Sequence, residues 1–162
     1  MSARYAVLAP WWTRFDQVDR KRAVAGLAEL GLAGLEDRAF GSLSSGERGR
    51  TMIARTLMTQ PDLVLLDEPA AGLDLGARED LLGRLTALAG ASIPAIALVT
   101  HHLEEIPAGF NRALILAAGR VLACGPIETV LSSANLSTAF GLSLELDARG
   151  GRYGARSAAA SR

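Results

Sequence analysis

The segment Leu63–Pro69, "LVLLDEP", decides the fold predicted for this 162-residue chain. Its four consecutive apolar residues, bounded by Pro61 and Pro69, are typical of a short strand buried on both faces of a sheet. The strand ends in two acidic residues, Asp67 and Glu68. Because α/β proteins bind ligands at the carboxyl ends of their strands, the segment predicts a buried strand with a chemically useful end.

Segments with helical and strand patterns alternate on both sides of this strand. Helical apolar spacing occurs at 17–31, 47–60, 75–90 and 127–141, a second buried strand is expected within 94–102, and two hairpins are expected at 112–126 and 142–157. The hairpins would turn at Ala118–Gly119 and Gly150–Gly151. This alternation predicts an α/β protein with a largely parallel sheet flanked by helices.

Composition excludes several classes of protein. The formal net charge of +0 gives no broad electrostatic attraction to nucleic acid, so no nucleic-acid partner is expected. Cys124 is the only cysteine, which excludes an internal disulfide and a thiolate metal cluster, and we expect it to be a small apolar filler. The apolar runs are too short to span a bilayer.

The two acids after the strand have more than one interpretation. Asp67 could hold Mg²⁺, because hard cations prefer oxygen ligands. Glu68 could orient and deprotonate a water molecule. Either carboxylate could instead only cap a turn before Pro69, and the strand alone does not decide between these roles.

The segment "LSSGE", Leu43–Glu47, also has two interpretations. Ser44 and Glu47, three residues apart, form the pattern of a capping box, which needs no ligand. Ser45 and Gly46 add a hydroxyl and an unobstructed backbone at the positive end of a helix, a combination that suits a phosphate oxygen.

The histidines of "VTHH" follow the second predicted strand. His101 could donate a hydrogen bond to a phosphate or an oxyanion, whereas His102 is expected to face solvent. A zinc site is disfavoured, because adjacent side chains diverge and the chain has no further histidine.

In their order and spacing these segments resemble the ATP-binding-cassette (ABC) ATPases, particularly those of bacterial importers in the molybdate and iron-chelate groups. Leu43–Glu47 match the signature motif, Leu63–Glu68 the Walker B strand, Ala71–Asp74 the D-loop and His101 the switch histidine. The segments "APWW" and "THHLEEIP" suggest the importer group. The resemblance implies a partial P-loop NTPase fold with a remnant helical subdomain and a C-terminal β-hairpin.

The resemblance also implies a role for each matched residue, with ATP and Mg²⁺ as cofactors. The signature residues would contact ATP held by a second ATPase subunit in a head-to-tail dimer; they are Ser44, Ser45, Gly46 and Glu47. Asp67 would hold Mg²⁺ through water, and Glu68 would polarise the attacking water. His101 would sense the γ-phosphate, and Asp74 would link the two sites of the dimer.

One element of such ATPases has no counterpart in this sequence. A Walker A loop needs Gly-x-x-x-x-Gly-Lys-Ser/Thr, and the only lysine, Lys21, has no such context. A Q-loop glutamine is likewise unmatched. We therefore expect the C-terminal portion of an ATPase subunit that energises transport but is inactive alone. The alternative is a non-catalytic half-cassette that acts as a dimerisation or regulatory partner.

The resemblance predicts three regions. These regions are a helical subdomain portion at 1–60 that ends in the signature helix, part of the RecA-like core at 61–141 and a terminal hairpin with its tail at 142–162. Membrane-spanning permease subunits are the expected partners, and the expected location is the cytoplasmic face of the membrane. Without a Walker A strand beside Leu63–Leu66, we expect exposed backbone groups and marginal stability.

Overall fold

The computed structural model describes residues 16–91 and 95–158 of the chain. The chain divides between Val99 and Thr100 into two compact units. The predicted region boundaries at residues 60 and 141 stay predictions. The "APWW" segment at 9–12 lies outside the described residues.

The first unit contains three helices and two parallel strands. They are α1 (Gln17–Glu29), α2 (Ser45–Leu57), β1 (Leu63–Asp67), α3 (Leu75–Ala91) and β2 (Ala95–Val99), with a 3₁₀ turn at Phe40–Ser42. Strand β1 pairs in parallel with β2 over its whole length, from Leu63 opposite Ala95 to Asp67 opposite Val99. Val64 and Leu66 of β1 point into the core. The buried residues around them are Leu30, Leu32, Ile53, Ala54, Ala70, Leu81, Leu85 and Leu88.

The prediction that β1 is buried on both faces is wrong in this structure. Residues alternate along the strand, so Val64 is 1% exposed while Leu65 is 72% exposed. Leu63 and Val99 share the exposed face. Burying a second sheet face requires another layer of structure, and the described elements of this unit do not supply one. Among the described strands β1 pairs only with β2, so its other edge has no described strand beside it.

The end of α1 is closed by a backbone motif that requires glycine. Leu32 N donates to Leu27 O at 2.9 Å, and Gly31 N donates to Ala28 O at 3.0 Å, which is the Schellman pattern. Gly31 has φ +69°, and a Cβ at this position would lie 2.2 Å from Nη2 of Arg84. That guanidinium reaches over the helix end, where Nη1 donates to Glu29 O at 3.1 Å.

The second unit contains two hairpins with two short helices between them. Its elements are β3 (Arg112–Ala117), β4 (Arg120–Pro126), α4 (Ile127–Val130), α5 (Ser133–Phe140), β5 (Leu144–Arg149) and β6 (Arg152–Ser157), with a 3₁₀ turn at Leu103–Glu105. Both hairpins are antiparallel and turn at the predicted residues. Ala118 and Gly119 both have positive φ, as a type I′ turn requires.

Two predictions for this unit are wrong. The single helix expected at 127–141 is two helices, because Ser132 accepts a hydrogen bond from Asn135 N at 3.2 Å and caps α5. The side chain of Asn135 donates to Val130 O at 2.9 Å, which closes the turn between the helices. Cys124, expected as an apolar filler, is exposed on β4.

The α/β class predicted from the sequence is confirmed. In the part of the chain that the structure describes, however, parallel pairing is confined to β1 and β2, and the remaining strand pairs are hairpins. None of the described helices has the length and apolarity needed to cross a bilayer.

The alternation along β1 predicts opposite results for neighbouring leucines. Leu66→Ala should lower the free energy of unfolding by about 2–5 kcal/mol, because Leu66 is buried in the first unit. Leu65→Ala, the matched control, should change it by no more than about 0.5 kcal/mol. Urea unfolding followed by circular dichroism measures both. Equal losses would mean that the outer face is covered.

The glycine at the end of α1 predicts a second pair of results. Gly34→Ala should cost about 1–2 kcal/mol from its positive φ alone, because a Cβ there has free space. Gly31→Ala should cost about 1 kcal/mol more, since Arg84 must also leave its hydrogen bonds. Thermal unfolding measures both changes. The excess should vanish in an Arg84→Ala background, and a persisting excess would contradict this explanation.

Candidate functional site

The predicted capping box at the start of α2 is present. Ser44 Oγ accepts from Glu47 N at 3.2 Å, and Glu47 Oε2 accepts from Ser44 N at 2.7 Å. Both bonds satisfy backbone donors that the first turn of a helix leaves unpaired. Ser44 and Ser45 are exposed, so their hydroxyls lie at an accessible, electropositive helix end.

The carboxylate of Glu47 is stabilised in its charged form by this cap. The backbone hydrogen bond from Ser44, with a smaller contribution from the Ser44 side chain, lowers the pKa of Glu47 from its ordinary value of 4.5. A negative charge in the first turn is also favoured by the helix dipole. Glu47, which the family resemblance places in the signature motif, therefore has a structural role as a helix cap.

The start of α2 lies against the loop that follows β1. A Cβ at Gly46 would lie 3.1 Å from Cδ2 of Leu73, which leaves little room for any larger residue at this position. Leu73 immediately precedes Asp74, so the fold brings the segment Ser44–Glu47 and the loop 71–74 together. The family resemblance assigned the two segments to the signature motif and the D-loop, but the sequence did not show that they lie close together in the fold.

Asp74 caps α3. Its Oδ1 accepts from Ala77 N at 2.8 Å, and its carbonyl oxygen accepts from Arg78 N at 2.9 Å. The side chain is exposed. One carboxylate oxygen is thus committed to the helix, and the other remains accessible for a further contact.

The acids at the end of β1 are held by the pairing with β2. Asp67 lies opposite Val99, and Glu68 N donates to Val99 O at 2.9 Å. Glu68 has φ +44°, a left-handed conformation that costs a non-glycine residue of order 1–2 kcal/mol. Such strain is found where the surrounding structure imposes a conformation, often at functional sites.

The carboxylates of Asp67 and Glu68 are both exposed. Within residues 16–91 and 95–158, there is no group of three or more His, Cys, Asp or Glu side chains placed to hold a metal ion. Mg²⁺ commonly uses one or two carboxylates and takes its other ligands from water and phosphate. Asp67 therefore fits a magnesium ion of that kind, and does not fit an ion that needs a complete protein cage.

His101 lies in the second unit, just after the end of β2, and is exposed. Its ring centroid is 4.0 Å from that of His102, with the ring planes tilted by 40°. His102 is exposed, as predicted. The imidazole of His101 is thus accessible to a ligand.

Sequence reasoning missed a charged cluster that ties α2 to α3. Asp80 accepts from Arg84 Nε at 3.0 Å and forms a short ion pair with Arg50 of α2. Hydrogen bonding from Arg84, followed by the charges of Arg84 and Arg50, lowers the pKa of Asp80. The four-residue spacing of Asp80 and Arg84 is a readable helix signal, whereas nothing local identifies Arg50 as the third member.

Comparisons with known proteins agree on one family. The family model described as ABC transporter matches residues 3–71. The chain is 41% identical over 141 residues to the uncharacterized ABC transporter ATP-binding protein YlmA of Bacillus subtilis (strain 168), covering 86% of this chain and 53% of that protein. It is 43% identical over 130 residues to the molybdenum import ATP-binding protein ModC of Salmonella typhimurium, covering 80% of this chain and 35% of ModC.

Solved structures give the same result. A transporter assigned to the metal-chelate ABC type, in an inward-facing conformation, superposes with a TM-score of 0.76 at 28% identity, covering 90% of this chain and 58% of that chain. The protein cbiO1 from Clostridium perfringens, part of the ABC transporter complex cbiONQ, gives a TM-score of 0.66 at 26% identity, covering 78% and 51%. The chain spans about half, or less, of the length of the curated relatives it matches.

The capping box predicts a pH-dependent contribution of Glu47. Because the folded pKa of Glu47 is below its unfolded value, the charged cap stabilises the fold at pH values above the unfolded pKa, and this contribution is lost as the pH falls through the folded pKa. Glu47→Gln keeps the capping geometry and removes the charge. The variant should be less stable than the wild type at pH 7, and the difference should shrink below the ordinary value of 4.5.

Thermal unfolding between pH 3 and pH 7 measures this difference. Glu29→Gln makes the same chemical change at the other end of a helix, where the dipole disfavours a negative charge, so it should not lose stability at pH 7. A pH-independent effect of Glu47→Gln would show that the cap does not act through charge.

Proposed function

Because the chain carries part of an ABC transporter ATP-binding domain, we propose that it provides the signature, Walker B and switch elements of a transport ATPase. The main support is the proximity of Gly46 to Leu73, because it brings the segment Ser44–Glu47 close to the loop 71–74, as a signature segment beside a D-loop would require. The same loop follows shortly after β1, which ends at Asp67 and is followed at once by Glu68.

The signature segment would recognise a phosphate held by a second ATPase subunit. Ser44 Oγ accepts from Glu47 N in the cap, and its hydroxyl proton, which interacts with the Glu47 carboxylate here, would turn to a phosphate oxygen when one binds. Ser45 adds an exposed hydroxyl, and Gly46 allows close approach of the backbone. Glu47 is committed to the cap and therefore acts mainly by holding Ser44 in place.

The acids at the end of β1 would serve ATP bound in their own subunit. Asp67 would hold Mg²⁺ through water, and the bound ion would neutralise charge on the β- and γ-phosphates. Glu68 would orient a water molecule and accept its proton as it attacks the γ-phosphorus. The hydrogen bond from Glu68 N to Val99 O fixes the position of the Glu68 backbone.

His101 and Asp74 would each make a further contact. His101 presents an exposed imidazole that can donate a hydrogen bond to the γ-phosphate. Asp74 keeps one carboxylate oxygen outside the α3 cap, and that oxygen could contact the second subunit. Catalysis would then consist mainly of positioning and charge stabilisation.

The partners and location follow from the relatives. Names such as molybdenum import protein and metal-chelate type transporter favour an importer, with permease subunits in the membrane and the ATPase at its cytoplasmic face. The sequence contains no Walker A loop, so we propose that hydrolysis requires a segment that supplies one. The transported substrate that these relatives suggest is an oxyanion or a metal chelate.

Reconstitution tests the proposed role of Glu68. The chain should show no Mg²⁺-dependent ATP hydrolysis alone, and it should gain hydrolysis when combined with a segment from a relative that carries the Walker A loop. Glu68→Gln should then lower kcat by about 10²–10⁴-fold, because it removes the proton acceptor. Phosphate release measures the rate.

Asp62→Asn is the matched control, because it neutralises an acid at the opposite end of β1 and should leave kcat unchanged. Hydrolysis by the chain alone that is lost in Glu68→Gln would show that no added Walker A segment is needed. A reconstituted assembly without hydrolysis that still binds a complete ATPase subunit would favour the alternative role as a non-catalytic half-cassette.

A further inference from the structure

The segment that carries His101 is closed by a hydrogen-bonded pair that the predicted motifs do not include. Thr100 Oγ1 donates to Glu105 Oε2 at 2.5 Å and accepts from His102 N at 3.0 Å. The two residues of the pair stand on either side of the histidines in the chain. The hydroxyl therefore joins the beginning and the end of the segment 100–105.

Glu105 is unusual for its burial. It is 5% exposed, whereas its neighbour Glu104 is exposed. Glutamate is rarely this buried unless it is paired, because burying an unsatisfied carboxylate is costly. The short bond from Thr100 supplies such a partner. The burial of Glu105 together with this bond points to a specific role for the hydrogen bond.

The rest of the segment is anchored in the second unit. Leu103 and Ile106 pack against the core formed by Ile127, Leu131 and Leu136. Arg152 of β6 donates through Nη2 to the carbonyl oxygen of Glu104 at 2.7 Å. The base of the segment is thus fixed by packing and by the hydrogen bond from Arg152, while both histidines remain exposed.

We propose that Thr100 and Glu105 form a clamp that positions His101, an inference that rests on the proposed function of His101. Neither residue touches the nucleotide in this proposal. The clamp instead holds the backbone of His101–His102 in one conformation. The ring of His101 can then contact the ligand without a change in loop conformation. Positioning of this kind reduces the reorganisation needed when a ligand binds.

The chemistry of the clamp separates conservative from disruptive changes. Thr100→Ser keeps the hydroxyl, and Glu105→Gln keeps an acceptor oxygen. Thr100→Val retains the shape of threonine but removes both hydrogen bonds, and Glu105→Ala removes the acceptor. Glu104→Ala is the matched control, because it removes an adjacent, exposed carboxylate and leaves the backbone contact with Arg152 in place.

Nuclear magnetic resonance of the full ¹⁵N-labelled chain, without nucleotide, tests the clamp. Thr100→Val should accelerate hydrogen exchange of the His102 amide by about tenfold relative to the Leu136 amide, as expected for the loss of one hydrogen bond. Glu105→Ala should accelerate it by a smaller factor, because the Thr100 hydroxyl keeps accepting from His102 N but loses the carboxylate that holds it. Both variants should also weaken the Overhauser contact between the His101 and His102 rings. Thr100→Ser, Glu105→Gln and Glu104→Ala should match the wild type.

Unchanged exchange and ring contact in Thr100→Val would overturn the proposal, as would an equal effect of Glu104→Ala. If Glu105→Ala does not fold, the Thr100→Val and Thr100→Ser pair decides the question. In the reconstituted assembly, Thr100→Val should lower kcat with little change in KM for ATP. Because the exchange measurement uses no nucleotide, it can succeed or fail independently of the Glu68 test.

Discussion

The pairing of β1 with β2 is the constraint on which the first unit depends. Once Leu63–Asp67 lie in register with Ala95–Val99, alternation decides which side chains enter the core. Val64 and Leu66 face the helices, and the register continues one step further to the bond between Glu68 N and Val99 O. A slip of one residue would exchange the buried and exposed faces and also displace both acids. The same backbone bonds therefore determine the core and the positions of Asp67 and Glu68.

Local signals predicted most of the secondary structure. The capping box at Ser44 and the two hairpin turns depend on residues only a few positions apart, so their patterns could be interpreted directly. The break at Ser132 was also local, because serine is a preferred helix cap, but the apolar pattern on both sides suggested one continuous helix.

Features that depend on distant residues could not be predicted. The exposure of Leu65 depends on what covers the sheet, and a continuous apolar run does not reveal whether that layer is present. The ion pair between Arg50 and Asp80 joins α2 to α3 through two residues that are thirty positions apart in the sequence. The motif resemblance supplied the candidate residues, but the approach of Gly46 to Leu73 needed the fold.

The left-handed backbone at Glu68 restricts how this position can drift during evolution. Glycine, asparagine and aspartate adopt such a conformation with the least strain, whereas valine and isoleucine are strongly disfavoured. A mutation that relaxed the backbone by introducing glycine would also remove the carboxylate. Selection for foldability alone would therefore move this position away from glutamate. A glutamate kept at this position against that pressure would reflect selection on its carboxylate rather than on the fold.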